Sequence, residues 1–136
     1  MHRLVRRALL IAALAATGAC NNTPIVPTNP TPGVPVTDTF SGTLSKNGAF
    51  THAFSISTLG SITAAIVALQ PNAQIVGLQL GVWNGTSCTA ASSTDTATTG
   101  SSITLNASSA GVVCVRLYDV GFIGDPVLYQ MQVVHP

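Results

Sequence analysis

A chain of 136 residues with 7% charged and 5% aromatic side chains has room for one domain of ordinary size and a short additional segment. Its charged share lies far below the roughly 25% of typical soluble domains, yet it is too rich in Val, Ala, Thr and Ser to be a disordered, highly charged segment. The formal charge of +1 rests on Arg3, Arg6 and Arg7. Past Cys20 two fixed cations, Lys46 and Arg116, face four aspartates, a side-chain balance of −2, and this argues against nucleic acid or any other polyanion as a partner.

At the N-terminus a basic stretch, residues 1–7, is followed by an apolar run over residues 8–16 and by the small residues Thr17, Gly18 and Ala19. That order of zones is the layout of a secretory signal peptide, and the apolar run is too short for a stable membrane span. Gly18, Ala19 and Cys20 are similar to the cleavage site of bacterial lipoproteins, with Thr17 where an aliphatic residue is usual. The resemblance implies that Cys20 is lipidated, that residues 1–19 are removed and that the protein is exported and held in a membrane through Cys20. Asn21 in place of an Asp points to the outer membrane or the cell surface. Ordinary cleavage nearby, with Cys20 left as a plain thiol, is the alternative.

Pro24, Pro27, Pro30, Pro32 and Pro35 recur every two or three residues, each removing a backbone donor and biasing its predecessor to extended geometry. Residues 20–37 therefore read as the anchor and a Pro-rich tether, and residues 38–136 as the folded domain. Strand-like runs at 40–44 and 49–57 flank Lys46, Asn47 and Gly48, a pattern expected of a type I′ hairpin. Phe50, His52, Phe54 and Ile56 share one face of the second run, so His52 lies in register with core residues.

Residues 61–69 read as a strand bounded by Gly60 and Pro71. In the next run Val76, Leu78, Leu80 and Val82 alternate with Gly77, Gln79, Gly81 and Trp83 and end at the turn pair Asn84-Gly85. Residues 86–102 are almost entirely Ser, Thr, Ala and Gly and read as a surface loop with one weak strand near 87–90. After a short strand at 102–106, the stretch 110–134 reads as a closing hairpin: Val113, Val115 and Leu117 alternate with Cys114, Arg116 and Tyr118, and Tyr129, Met131 and Val133 alternate with Gln130 and Gln132. The expected fold is all-β, a single antiparallel β-sandwich of jelly-roll or Ig-like type with seven to eight short strands.

Three cysteines in an exported chain divide into one anchor and one pair, so Cys88 and Cys114 are expected to form a disulfide. Two buried thiols or a metal pair are the alternatives. For catalysis the sequence offers little: there is no Glu, no Gly-x-Ser-x-Gly elbow, and past Cys20 the imidazoles are His52 and His135, the latter next to the terminal Pro136 and expected to fray. A small secreted hydrolase around His52 is an alternative, and no catalytic residue, cofactor or metal is assigned. Asp119 and Asp125 read as turn formers, too few oxygens for Ca²⁺. The candidate binding surface comprises Trp83, Arg116, Tyr118, Asp119, Phe122 and Asp125. Trp83 and Tyr118 stand opposite the apolar stripes, where a carbohydrate-binding module would place its aromatics.

The domain resembles the bacterial pre-peptidase C-terminal domain. The likeness lies in Phe40-Ser41-Gly42-Thr43-Leu44 followed by Phe50 and Phe54, in Gly60 leading into the strand of Ile62, and in residues 110–118 with 129–133. It spans nearly the whole folded part and implies a non-catalytic β-sandwich. Where relatives often carry an acidic cluster, this chain reads Leu78-Gln79-Leu80-Gly81-Val82, without a carboxylate. The expectation is a lipid-anchored binding or structural module of the cell envelope with an unidentified protein or glycan partner.

Overall fold

The computed structural model describes residues 33–136; the expected signal peptide, Cys20 and the expected tether up to residue 32 lie outside the described residues. Eight strands follow one another: β1 Val36–Leu44, β2 Ala49–Ile56, β3 Gly60–Gln70, β4 Val76–Trp83, β5 Cys88–Ala97, β6 Ser102–Ala107, β7 Gly111–Tyr118 and β8 Val127–His135. β1 starts two residues inside the stretch read as tether, because Val36 and Thr37 already pair with His135 and Val134.

The strands form two four-stranded antiparallel sheets of order β1-β8-β3-β6 and β2-β7-β4-β5. Of the consecutive strands, β4 and β5 alone share a sheet; every other connection crosses from one sheet to the other, which is jelly-roll connectivity. Two expected hairpins are corrected by this. β1 pairs with β8 and β2 with β7, so the turn at Asn47 is an arch between sheets. Asn47 has φ 54°, whereas neither Gly48 nor Lys46 is among the positive-φ residues, and a type I′ turn requires positive φ at both central positions. Likewise β7 and β8 lie in different sheets, and residues 119–126 form an arch.

The inward faces obey the two-residue period. β8 alternates buried and exposed along its whole length, and Val127, Tyr129, Met131 and Val133 meet Leu44, Ile62, Ile66, Leu78, Leu80, Val115 and Leu117 in one core. In β3 Val67 faces solvent as the period requires, and an irregularity between Ile66 and Ala68 then resets the alternation, so that Leu69 and not Ala68 is the next buried residue. β5 corrects the reading of 86–102 as loop. It is a ten-residue edge strand paired with β4 from Trp83–Cys88 to Val76–Ala97. Its Thr residues favour extended backbone, but most of its side chains face water on both sides, so no apolar period marks it.

Each sheet direction defines two ends of the sandwich. At the entry pole lie the starts of β1, β3, β5 and β7 and the ends of β2, β4, β6 and β8; Gly33 joins the domain here. At the far pole lie the arches at residues 45–48, 71–75, 98–101 and 119–126.

Candidate functional site

β4 runs through the middle of its sheet and is covered on both faces from Val76 to Gly81. Its outward residues Gly77, Gln79 and Gly81 are covered by different neighbours. Over Gly77 lies the ring of Tyr118, so close that a Cβ there would meet it at 2.2 Å. Over Gly81 the β5 backbone itself passes, and a Cβ would fall 1.9 Å from the Thr89 carbonyl oxygen. Between them the buried Gln79 amide donates to the Cys88 carbonyl at 3.0 Å. The start of β5 is thus folded over β4, and the Cys88–Cys114 disulfide, with a Cα–Cα separation of 5.8 Å, ties it to β7 on the other side of β4.

The expected binding residues separate into two groups on this frame. Trp83 and Arg116, with Thr51, Thr86, Ser87 and Cys88, line a shallow hollow of about 450 Å³ on the outer sheet face. Tyr118 lies further along β7 and is engaged by the fold: Arg116 sits 5.1 Å from its ring centroid and its hydroxyl donates to Asp95. Burial and the Asp95 carboxylate both raise the phenol above its ordinary value. An open stacking platform built jointly from Trp83 and Tyr118 is not what this geometry offers. The two are separated by the length of β4 between Gly77, the partner of Tyr118, and Trp83 itself, roughly 20 Å at about 3.3 Å per residue.

Asp119, Phe122 and Asp125 belong to the far pole. Asp119 is the knot of that end. Its Oδ2 accepts the Asn47 amide at 2.8 Å, and its Oδ1 accepts the amides of Gly121, Phe122 and Ile123 at 2.7, 3.1 and 3.2 Å. These bonds, that of Asn47 foremost, hold its carboxyl below the usual carboxylate range. Ile123 plugs the core at 2% exposure, and the neighbouring Phe122 ring stands out at 67%. Asp125 is exposed beside it.

Along the seam where β1 faces β2, both imidazoles of the domain are built into an aromatic row. His52 stacks on Phe40 with centroids 4.5 Å apart and shares a hydrogen bond of 2.9 Å with the Tyr129 hydroxyl. His135 packs on Phe54 and bonds Asp38 at 3.1 Å. The expected fraying of His135 is corrected: at 6% exposure it closes the β1–β8 ladder. No motif announced these contacts, although Gly42, which faces Tyr129 in the register and lies beneath its ring, is a strand glycine of the kind that marks a close approach.

Burial lowers the His52 imidazole below its ordinary value of 6.5. The unfolded chain therefore takes up this proton before the folded one does. Stability that is full above about pH 6.5 declines as the pH falls through the folded value. Urea unfolding midpoints measured between pH 7.5 and 5 should fall in the native protein and fall less in His52→Gln; equal slopes would remove His52 as a cause.

No protein-family model matches this chain, and no curated protein matches it in sequence.

Proposed function

We propose that this protein is a lipid-anchored, non-catalytic module of a bacterial cell envelope, akin to a pre-peptidase C-terminal domain carried on a lipoprotein, which presents its far pole to a protein partner. The observation that carries the reading is the separation of the two poles. The chain that would lead from Cys20 enters at one end, while the opposite end carries an exposed Phe122 on an arch locked by four bonds to Asp119. A rigid aromatic surrounded by polar residues costs little conformational entropy on binding, which is the profile of an interface anchor. The imidazoles and three of the four carboxylates are employed as braces of the fold, which supports a binding role over a hydrolase centred on His52.

The test is photo-cross-linking in the cells that make the protein. A cross-linking residue at position 122 should capture a discrete partner that the same residue at Val134, exposed at the entry-pole end of β8, does not, and Cys20→Ser should abolish both fatty-acid labelling and capture. Equal capture from both positions, or labelling that persists in Cys20→Ser, would remove the reading.

A second reading, a carbohydrate-binding surface module, draws on the hollow beside Trp83, where one indole, one guanidinium and the hydroxyls of Thr51, Thr86 and Ser87 converge. An aromatic face with several hydroxyl partners suits a saccharide. It differs from the first in making saccharide retention depend on Trp83.

A further inference from the structure

Charge and apolar surface are distributed unequally between the poles. Lys46, Asp119 and Asp125 stand in the arches of the far pole, and Asp95 and Arg116 lie on the strand segments that pair with the first half of β4. At the entry pole two hollows open. One, of about 250 Å³, is lined by Ile56, Val82, Trp83, Leu105, Val112 and Val113 among others; the second, of about 210 Å³, lies between Gly33, Pro35, Leu59, Val134 and Pro136. Neither is lined by a Lys, Arg, Asp or Glu side chain, and the His135 that borders the second is bonded to Asp38. Val82 is 57% exposed, Leu59 46% and Val112 40%. These side chains ring the end of the sandwich where the two sheets are no longer closed by further core residues.

The chain outside the described residues decides what meets this end. Gly33 lies in the second hollow, and twelve residues, 21–32, separate it from Cys20. Twelve residues reach at most about 40 Å. A domain held this close to a bilayer meets it at a high effective concentration, so a modest apolar contact is enough to dock it. Trp83 sits on the rim between the apolar hollow and the hydroxyl-lined one, and an indole with one apolar and one polar side suits the headgroup boundary.

We infer that the entry pole is a membrane-docking surface: Leu59, Val82, Trp83 and Val112 rest in the interface of the lipid bilayer and hold the domain down on it with the Phe122 arch pointing away. The inference rests on the anchored reading for the approach to the membrane, but the contact is made by the folded domain itself. With no Lys or Arg in the lining of either apolar hollow, docking works on zwitterionic lipid and does not depend on salt-screened attraction to anionic headgroups. It assigns Trp83 to lipid, so it and the saccharide reading exclude one another.

Trp83 is the single tryptophan of the chain and reports its own position. The full-length protein purified from membranes is reconstituted in phosphatidylcholine vesicles with plain or dibrominated acyl chains. Trp83 emission is expected to fall at least twofold in the brominated vesicles, equally at low and high salt. In the double variant Trp83→Phe/Phe122→Trp, which moves the tryptophan to the far pole, bromination should leave emission unchanged. Leu59→Asp/Val82→Asp, with an unfolding midpoint within a few degrees of native, should lose the quenching while still floating with the vesicles. Fatty-acid labelling and flotation report the anchor separately. A labelled, floating protein with unquenched Trp83 overturns docking and leaves the anchor standing; an unlabelled protein quenched on addition of vesicles does the reverse. Equal quenching at both poles, or Trp83 emission that answers to a soluble envelope saccharide and not to bromolipid, also overturns the inference.

Discussion

Gly81→Ala should be among the most damaging single-atom additions in the domain. The new methyl would stand 1.9 Å from the Thr89 carbonyl oxygen and 3.1 Å from the Ala90 Cα, and both obstacles are backbone. The start of β5 has to lift off β4 to accommodate it, against the disulfide and the Gln79–Cys88 bond that hold it there. Overpacking that moves backbone costs about 3 kcal/mol, a fall in Tm of roughly 12–24 °C for a domain of about 100 residues. Gly77→Ala serves as the comparison. Its methyl meets the Tyr118 ring, a side chain that swings aside at the loss of the Asp95 bond, so the fall should be smaller. Thermal unfolding of the two variants checks this, and a Gly81→Ala midpoint within about 2 °C of native contradicts it.

Replacing the disulfide with Cys88→Ala/Cys114→Ala should cost about 3 kcal/mol through the released loop alone, the bonded residues being 26 apart in sequence. The loss has a structural side as well. Cys114 is fully buried on the outer face of β7 because the folded-over β5 covers it, and without the bond β5 is an edge strand with few apolar contacts to hold its start in place. The two predictions are coupled. With the disulfide gone, β5 yields to a methyl at Gly81, so Gly81→Ala should cost less in the cysteine-free background than in the native one. A double-mutant cycle from urea unfolding reads that difference directly, and strict additivity would mean that the disulfide does not press β5 onto β4.

Gly81 also shows how far a strand pattern can be read. Val76, Leu78 and Leu80 identified β4 and its inward face, since alternation is a local property. Gly77 and Gly81 on the opposite face were visible as small residues, but what covers them comes from β7 and β5, distant in sequence. Tyr118 gives the same lesson. Its outward placement followed from the period of β7, while its engagement with Gly77, Arg116 and Asp95 depends on which strand lies alongside.

Only the start of β5, near residues 87–90, was legible, because a strand exposed on both faces of a sheet edge carries no hydrophobic period, and its Thr and Ser residues suit a loop equally well. The two supposed hairpins failed for a different reason. A turn between two alternating runs is compatible with strands that pair and with strands that part into opposite sheets, and Asn-Gly marks the reversal of the chain without fixing its partner. Asp119 was legible as a turn former; its bond to Asn47, 72 residues away, was not.

Local pattern and composition were enough for the all-β class, the inward faces of β2, β4, β7 and β8, the pairing expected of Cys88 and Cys114, and a domain nearly without charge. Each of these follows from local period, composition or counting. Tertiary structure alone decided the jelly-roll order, the folding of β5 over Gly81, the burial of His135 and the division into an apolar entry pole and a charged far pole. These depend on contacts between strands far apart in the chain, whose energies come from the fit of one face against another and leave no periodic trace in either strand.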